Sequence, residues 1–266
     1  ESPTDRNDVG TTVIREQRQF LKDCDPALLL KLSENAKKAF WINLYNSFLQ
    51  LKLRHHQQQQ QPEVKAPLYT TRDIVIAGKL LSLDDIEHII LRNGRWKYLY
   101  GYVRNYYAWY VTRRDISSWA MATSTSNTTI MDARIHFALN CGAKSCPPIS
   151  CYSADRIDVQ LDQAARSFLQ QETEVHENEI HVSKLMYWYY ADFGGKRGIV
   201  QMLNRFLENH QQEEGKIGSN GVVKDHYKLV FKDFSWEQTL DNYSFEAEDV
   251  VDASLHQKKG GDLRTC

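Results

Sequence analysis

Apolar residues recur at helical spacing from Pro26 onward: Leu28, Leu29 and Leu32, then Ala36, Phe40, Leu44 and Phe48. A polar stretch over residues 1–25 precedes them and reads as a flexible lead-in that turns helical only toward Leu21. His55-His56 and the glutamines at 57–61, closed by Pro62, interrupt the pattern and predict a surface insertion near 54–66. Ser82 with an acid three residues on, at Asp85, has the form of a capping box and predicts a helix start. Ile86, Ile89 and Ile90 supply that helix with an apolar face, and Asn93-Gly94 supplies a stop. The aromatic crowd from Trp96 to Trp119 predicts packing of a large helix or hairpin, with a Ser/Thr/Asn loop after it over 122–129.

Arg134 to Asn140 alternates apolar and polar residues as a strand does, then meets a turn from Cys141 to Pro148 stiffened by two prolines. Residues 155–171 predict a helix with Ile157, Leu161, Ala164, Ala165 and Phe168 on one side. Glu179 to Val182 predicts a short strand, Lys184 to Phe193 a Trp/Tyr-rich helix or turn ending at Gly194-Gly195, and Ile199 to Leu207 a helix. His226 to Phe234 predicts a third strand, and the charged tail over 243–266 predicts disorder. The expected class is α+β: a mainly helical single domain over 26–242 around a small antiparallel sheet.

Composition narrows the function classes. The chain has 266 residues, 42% hydrophobic and 11% aromatic, which is material for a large core. Its 33 Lys+Arg against 34 Asp+Glu leave a formal charge of -1, so the basic footprint of a nucleic-acid binder is absent. No uninterrupted apolar run approaches the ~18 residues of a membrane span, and the first residues lack the basic-then-apolar order of a signal peptide. An odd count of five cysteines is not that of a disulfide scaffold, which favours a reducing, cytoplasmic setting.

Three of those cysteines, Cys141, Cys146 and Cys151, follow a C-x4-C-x4-C spacing. This is not a zinc-knuckle spacing, although Cys141, Cys146, Cys151 and His136 together form a possible zinc set. On a strand, Ile135, Phe137, Leu139 and Cys141 would share the apolar face, and Arg134, His136, Ala138 and Asn140 the polar one. A chain doubling back after Gly142 brings Cys146 toward His136, the pairing that nucleophilic thiol catalysis requires. Pro147 at the first position of a helix would make Cys146 its N-cap, where the dipole favours a thiolate. Cys146 is then the nucleophile, His136 the base, and Asn140 or Asn46 the group that orients the imidazole, with Ser145 among the oxyanion donors. The competing reading takes His136 as a hydrogen-bonded core histidine, Cys146 as filler and Pro147-Pro148 as a rigid corner.

Asn43 and Asn46, three apart on one helical face, fit buried amides that fasten the helix to a loop. Glu87 and His88 offer an acid and a base, but neighbours on an α-helix point about 100° apart, so an ion pair with Arg92 or a distant loop, or a solvated face, is the expectation for Glu87. His55, His56, His176, His181, His210, His226 and His256 fall in no pairing that the sequence marks. No cofactor is expected.

Six blocks resemble, in order, the domain of unknown function 547 family. They are Ala39-Phe40-Trp41-Ile42-Asn43-Leu44-Tyr45-Asn46, Ser82-Leu83-Asp84-Asp85-Ile86-Glu87-His88 and Ile135-His136-Phe137-Ala138-Leu139-Asn140-Cys141-Gly142. Ser145-Cys146-Pro147-Pro148, Trp188-Tyr189-Tyr190-Ala191-Asp192-Phe193 and Phe234-Ser235-Trp236 complete the series, so the resemblance spans roughly residues 28–242. It implies a shared set of Asn43, Asn46, Glu87, His88, His136, Cys141 and Cys146. Similar domains stand beside leucine-zipper, DEP or glutaredoxin-like modules, which implies regulation or redox linkage as much as catalysis.

Three readings stay open at this point. One is a thiol-dependent hydrolase or acyltransferase of papain- or transglutaminase-like character, acting on a peptide or acyl substrate. Another is a scaffold or protein-interaction module built on a buried polar network. The third is a redox-responsive or metal-binding domain.

Overall fold

The computed structural model describes residues 14–58, 65–95, 115–121, 131–176, 178–207 and 227–237. The lead-in before 14, the glutamine run past Gln58, the aromatic stretch over 96–114, the loop at 122–129 and the tail at 243–266 lie outside the described residues.

A helix over 14–23 (α1) comes first, and its Leu21 and Lys22 carbonyls accept from Ala77 and Gly78 at 2.8 and 3.0 Å. Asp25 caps the next helix, Pro26–Lys31 (α2), by accepting from the Ala27 amide at 2.8 Å, with Pro26 in the first turn. The break at Leu32-Ser33 then opens α3, Glu34–Gln58. Ala39, Trp41, Ile42, Leu44, Tyr45, Phe48, Leu49 and Leu53 are all buried. With apolar residues covered on more than one side, α3 runs through the core instead of lying on it.

After α4, Lys65–Thr70, a two-stranded hairpin forms from β1, Ile74–Ile76, and β2, Lys79–Leu81. The predicted capping box follows. The Ser82 hydroxyl accepts from the Asp85 amide at 3.1 Å, and the Asp85 carboxylate accepts from the Ser82 amide at 3.0 Å. The helix it starts, Asp85–Leu91, is a π-helix, in which the Arg92 amide reaches back to the Glu87 carbonyl. Asn93 and Gly94, both at positive φ, end it.

Residues Ala133–Phe137 form a 3₁₀ helix where alternation predicts a strand. The Asp132 carboxylate caps it by accepting from the Arg134 amide at 3.2 Å, so a local side-chain bond wins over the extended conformation. Both supposed faces are buried, from Ile135 through Asn140. Ile135 packs into a cluster around α3, while Ala133 and Phe137 pack into a second cluster. The residues of the supposed apolar face therefore divide between two clusters and do not share one side of a sheet. Pro147 opens no helix either; the next one begins at Ile157.

Ile157–Glu172 (α5) turns Ile157, Leu161, Ala165, Phe168 and Leu169 inward. Its Asp158 and Asp162 carboxylates take the Arg134 guanidinium at 2.7 and 2.6 Å. The strands β3, Glu174–Val175, and β4, Glu179–Val182, pair antiparallel. The short α6, Leu185–Trp188, and α7, Gly195–Leu207, then lead to β5, Lys228–Phe231. β5 pairs with β4 in parallel, so the three-stranded sheet is mixed. A parallel neighbour needs a long crossover, which the chain through α6 and α7 supplies. α5, α7 and the inner face of β4 enclose the second cluster. The class is α+β. No described helix is long and apolar enough to cross a membrane.

Candidate functional site

Two polar constellations form around the predicted residues, and α3 contributes to both. In the first, the Asn43 amide exchanges two hydrogen bonds with the Tyr152 backbone, at 2.7 and 2.9 Å. One turn on, the Asn46 Nδ2 donates to the Ala138 carbonyl at 2.8 Å and its Oδ1 accepts from the Asn140 amide at 3.0 Å. Asn140 passes the connection forward: its Nδ2 donates to the Pro147 carbonyl at 2.8 Å and its Oδ1 accepts from the Gly142 amide at 2.6 Å. Both of its side-chain ends are thus committed to backbone, and the role of orienting the imidazole falls to another residue.

This loop lies tightly on α3. Gly142 has φ +74°, a backbone conformation that favours glycine, and a Cβ there would come within 2.6 Å of Leu53 Cδ1 and make that side chain shift. The Tyr69 hydroxyl donates to the Cys141 carbonyl at 2.6 Å, and the Ser145 hydroxyl accepts from the Ser235 amide at 3.0 Å. Cys141 and Cys146 are joined in a disulfide with Cα atoms 6.0 Å apart, and Cys146 is 6% exposed. Cys146 is therefore not a free thiol in this state. The zinc set of Cys141, Cys146, Cys151 and His136 loses two of its thiolates by the same bond.

The second constellation surrounds His136, which is 2% exposed. Its Nε2 lies 2.9 Å from Asp192 Oδ2. Tyr189 stacks on the ring at a centroid distance of 3.8 Å, and Phe193 flanks it at 5.6 Å. The same Asp192 oxygen accepts from Arg92 Nε at 2.6 Å, while Arg95 reaches its Oδ1 at 3.3 Å. The side chains of Arg92 and Asp192 are both 0% exposed. Arg92 in turn donates to His88 Nδ1 at 2.7 Å; a guanidinium has no acceptor, so that nitrogen carries no proton.

Glu87 completes the group. It is buried and not solvated, accepting from the Tyr189 hydroxyl at 2.5 Å and the Tyr45 hydroxyl at 3.3 Å. It also lies 3.6 Å from His88 Nδ1, although the α-helical expectation sends consecutive residues apart. The π-helical turn changes the angular step between neighbours, and that change lets both approach Arg92.

Electrostatics follow from enclosure. Burial pushes the His136 pKa below its ordinary value against the opposing pull of Asp192. Asp192 is held well below the usual carboxylate range, because the Arg92 and His136 donors outweigh the cost of its burial. We take Asp192 as the anion, neutralised by Arg92, and His136 as a neutral imidazole donating to it. Burial also opposes ionisation of Glu87, but the Tyr189 hydroxyl that donates to it and the nearby Arg92 cation leave its pKa lowered. Tyr69 is pushed up to about 12 by burial and by the nearby Glu87 and Asp84 charges.

The structure thus gives His136 and Cys146 different partners, Asp192 and Cys141. Sequence reasoning offered Arg92 only as an ion-pair partner of Glu87, and it missed Asp192, Tyr189 and Tyr45 as members of the network. The signal for two of them was present, since Tyr189 and Asp192 sit in the Trp188–Phe193 block of the resemblance. Gly198 helps to place that block: a Cβ there would fall 1.8 Å from the Phe193 carbonyl oxygen. An open cleft of about 700 Å³ lies between α1, α3 and the Ile149–Ala154 loop. Asn43, Asn46 and Cys151 line it, whereas His136 and Cys146 do not.

Neither a curated protein nor a solved structure matches the chain. A family model does match, over residues 29–169, just over half of the chain. That span holds Asn43, Asn46, Glu87, Arg92, His136 and the disulfide, while Tyr189 and Asp192 join the site from beyond it. The match, which takes in α3 and the loop fastened to it, makes this chain a member of the family described as Protein of unknown function, DUF547.

Proposed function

We propose that the domain is a non-catalytic scaffold for a protein partner, with its Asn140–Pro147 loop latched by a redox-responsive disulfide. The observation that carries this reading is the enclosure of His136, 2% exposed and bonded to a carboxylate that Arg92 already neutralises. A general base needs a nitrogen within reach of the proton it removes. A fully satisfied buried network instead rigidifies a core and fixes its arrangement. The sulfur that would attack is held in a bond to Cys141, and only its reduction would free a thiol.

A second reading rests on one specific feature. A buried carboxylate on an imidazole is the orienting half of a nucleophile–base–acid arrangement, and Asp192 stands in that relation to His136. On this reading the reduced domain is a thiol-dependent hydrolase or acyltransferase, with Cys146 attacking and His136 as base.

Alkylation of the folded full chain with iodoacetamide, followed by peptide mapping, separates the two. The scaffold reading expects label only at Cys24, Cys151 and Cys266 before reduction. After reduction, Cys146 should react no faster than Cys24, at a rate unchanged in His136→Gln. Labelling of reduced Cys146 at least tenfold faster than Cys24, lost in His136→Gln, overturns the scaffold in favour of the enzyme. Labelling of Cys146 without reductant removes the latch.

A further inference from the structure

The β3–β4 hairpin gathers a second set of groups far in character from the buried network. Glu174 and His176 are two residues apart along one strand direction, which sends their side chains to the same side. His181 is the cross-strand partner of Glu174, so it joins them on that side. The turn is short, closed by the His176 amide donating to the Glu179 carbonyl at 2.9 Å. One ligand atom from each of Glu174, His176 and His181 lies within 4.8 Å of the others. His176 Nε2 and Glu174 Oε2 are 3.8 Å apart, and the two imidazole rings meet edge to face at 4.5 Å.

We propose that this hairpin is a binding site for a divalent transition ion of the zinc type, ligated by Glu174, His176 and His181 with water completing the shell. Two imidazoles and one carboxylate form a donor set that zinc accepts, and bonds of about 2.0–2.1 Å put tetrahedral ligands roughly 3.3–3.4 Å apart. The 3.8 Å pair needs to close by only a few tenths of an ångström, and exposed side chains on a hairpin turn have the freedom to do so.

The surroundings suit a cation. Lys232 holds Glu174 through Oε1 at 2.9 Å, leaving Oε2 directed to His176, so the ammonium acts as an outer partner that orients the ligating carboxylate. Glu172 lies 3.8 Å from the same ammonium, and Glu179 lies 3.3 Å from His181 Nε2. Three carboxylates against Lys228 and Lys232 leave the patch with an excess negative charge. A bound ion would tie the β3–β4 turn together beside the end of β5, which Lys232 directly follows.

The test uses the full chain, stripped with a chelator and titrated calorimetrically with zinc chloride at pH 7.5, with calcium chloride as the hard-cation control. The expected result is one equivalent of zinc and no calcium. His176→Ala and His181→Ala should each weaken zinc at least tenfold. Glu174→Gln, which keeps shape and hydrogen bonding, should weaken it severalfold with an unchanged circular dichroism spectrum. Zinc bound equally well by the His176→Ala/His181→Ala double variant places the ion elsewhere and overturns the proposal. So does a chain that takes up no zinc.

Discussion

Replacing Asp192 with Asn keeps the shape of the side chain and removes its charge. Arg92, 0% exposed and 2.6 Å from the lost oxyanion, is then left as a buried cation whose nearest compensation is gone. His136 keeps a neighbour but loses a charged acceptor at 2.9 Å. Breaking a buried pair by removing one member costs about 3–5 kcal/mol, because the survivor is not resolvated. Against a total stability on the order of 5–15 kcal/mol, that is a large share. Urea denaturation followed by circular dichroism should show Asp192→Asn with a midpoint lowered accordingly and its slope unchanged. The double variant Arg92→Met/Asp192→Leu removes both charges and should be less destabilised than the sum of the two single changes, since the unpaired charge is absent. An Asp192→Asn cost below about 1 kcal/mol, or strict additivity in the double variant, would refute the claim that this pair is desolvated and coupled.

Three further outcomes follow from the same geometry. His136 has a depressed pKa in the folded state, so the unfolded chain binds its proton first; stability should be full above the unfolded value near 6.5 and fall as pH drops through the folded one. Urea midpoints at pH 7.5, 6.0 and 5.0 should show that slope in the native chain and lose it in His136→Gln, with Asp192 and Glu87 adding their own losses only in stronger acid. Asn46→Ala strands a buried carbonyl and a buried amide, at Ala138 and Asn140, and should cost on the order of 2–4 kcal/mol in the same assay. Reduction of the Cys141–Cys146 bond releases only a short loop, so the chain-entropy relation gives a loss of about 2 kcal/mol, read as a lower midpoint in reductant that is absent in a Cys141→Ser/Cys146→Ser variant.

Local chemistry was legible in the sequence wherever the determining contacts are close along the chain. The Ser82–Asp85 cap and the Asn93-Gly94 stop each depend on neighbours within a few residues, and the apolar spacing that marks α5 is likewise a local signal. The 3₁₀ segment at 133–137 was misread for an equally local reason. The Asp132 cap sits before residues that alternate as a strand's do, and periodicity alone cannot separate the two conformations.

The site's residue types were determined by the sequence: an imidazole at 136, two sulfurs at 141 and 146, amides at 43, 46 and 140, and an acid at 87. Their partners were decided only by tertiary structure. Asp192 reaches His136 across 56 positions and Arg92 across 100, and the Tyr189 hydroxyl reaches Glu87 across 102. Such separations leave no periodic trace, because hydrogen bonds depend on where the folded backbone brings two ends together. Spacing could say that a thiol and an imidazole were available. Packing of α3, the π-helical turn and the Trp188–Phe193 turn determined that the imidazole would meet a carboxylate and the thiol another thiol.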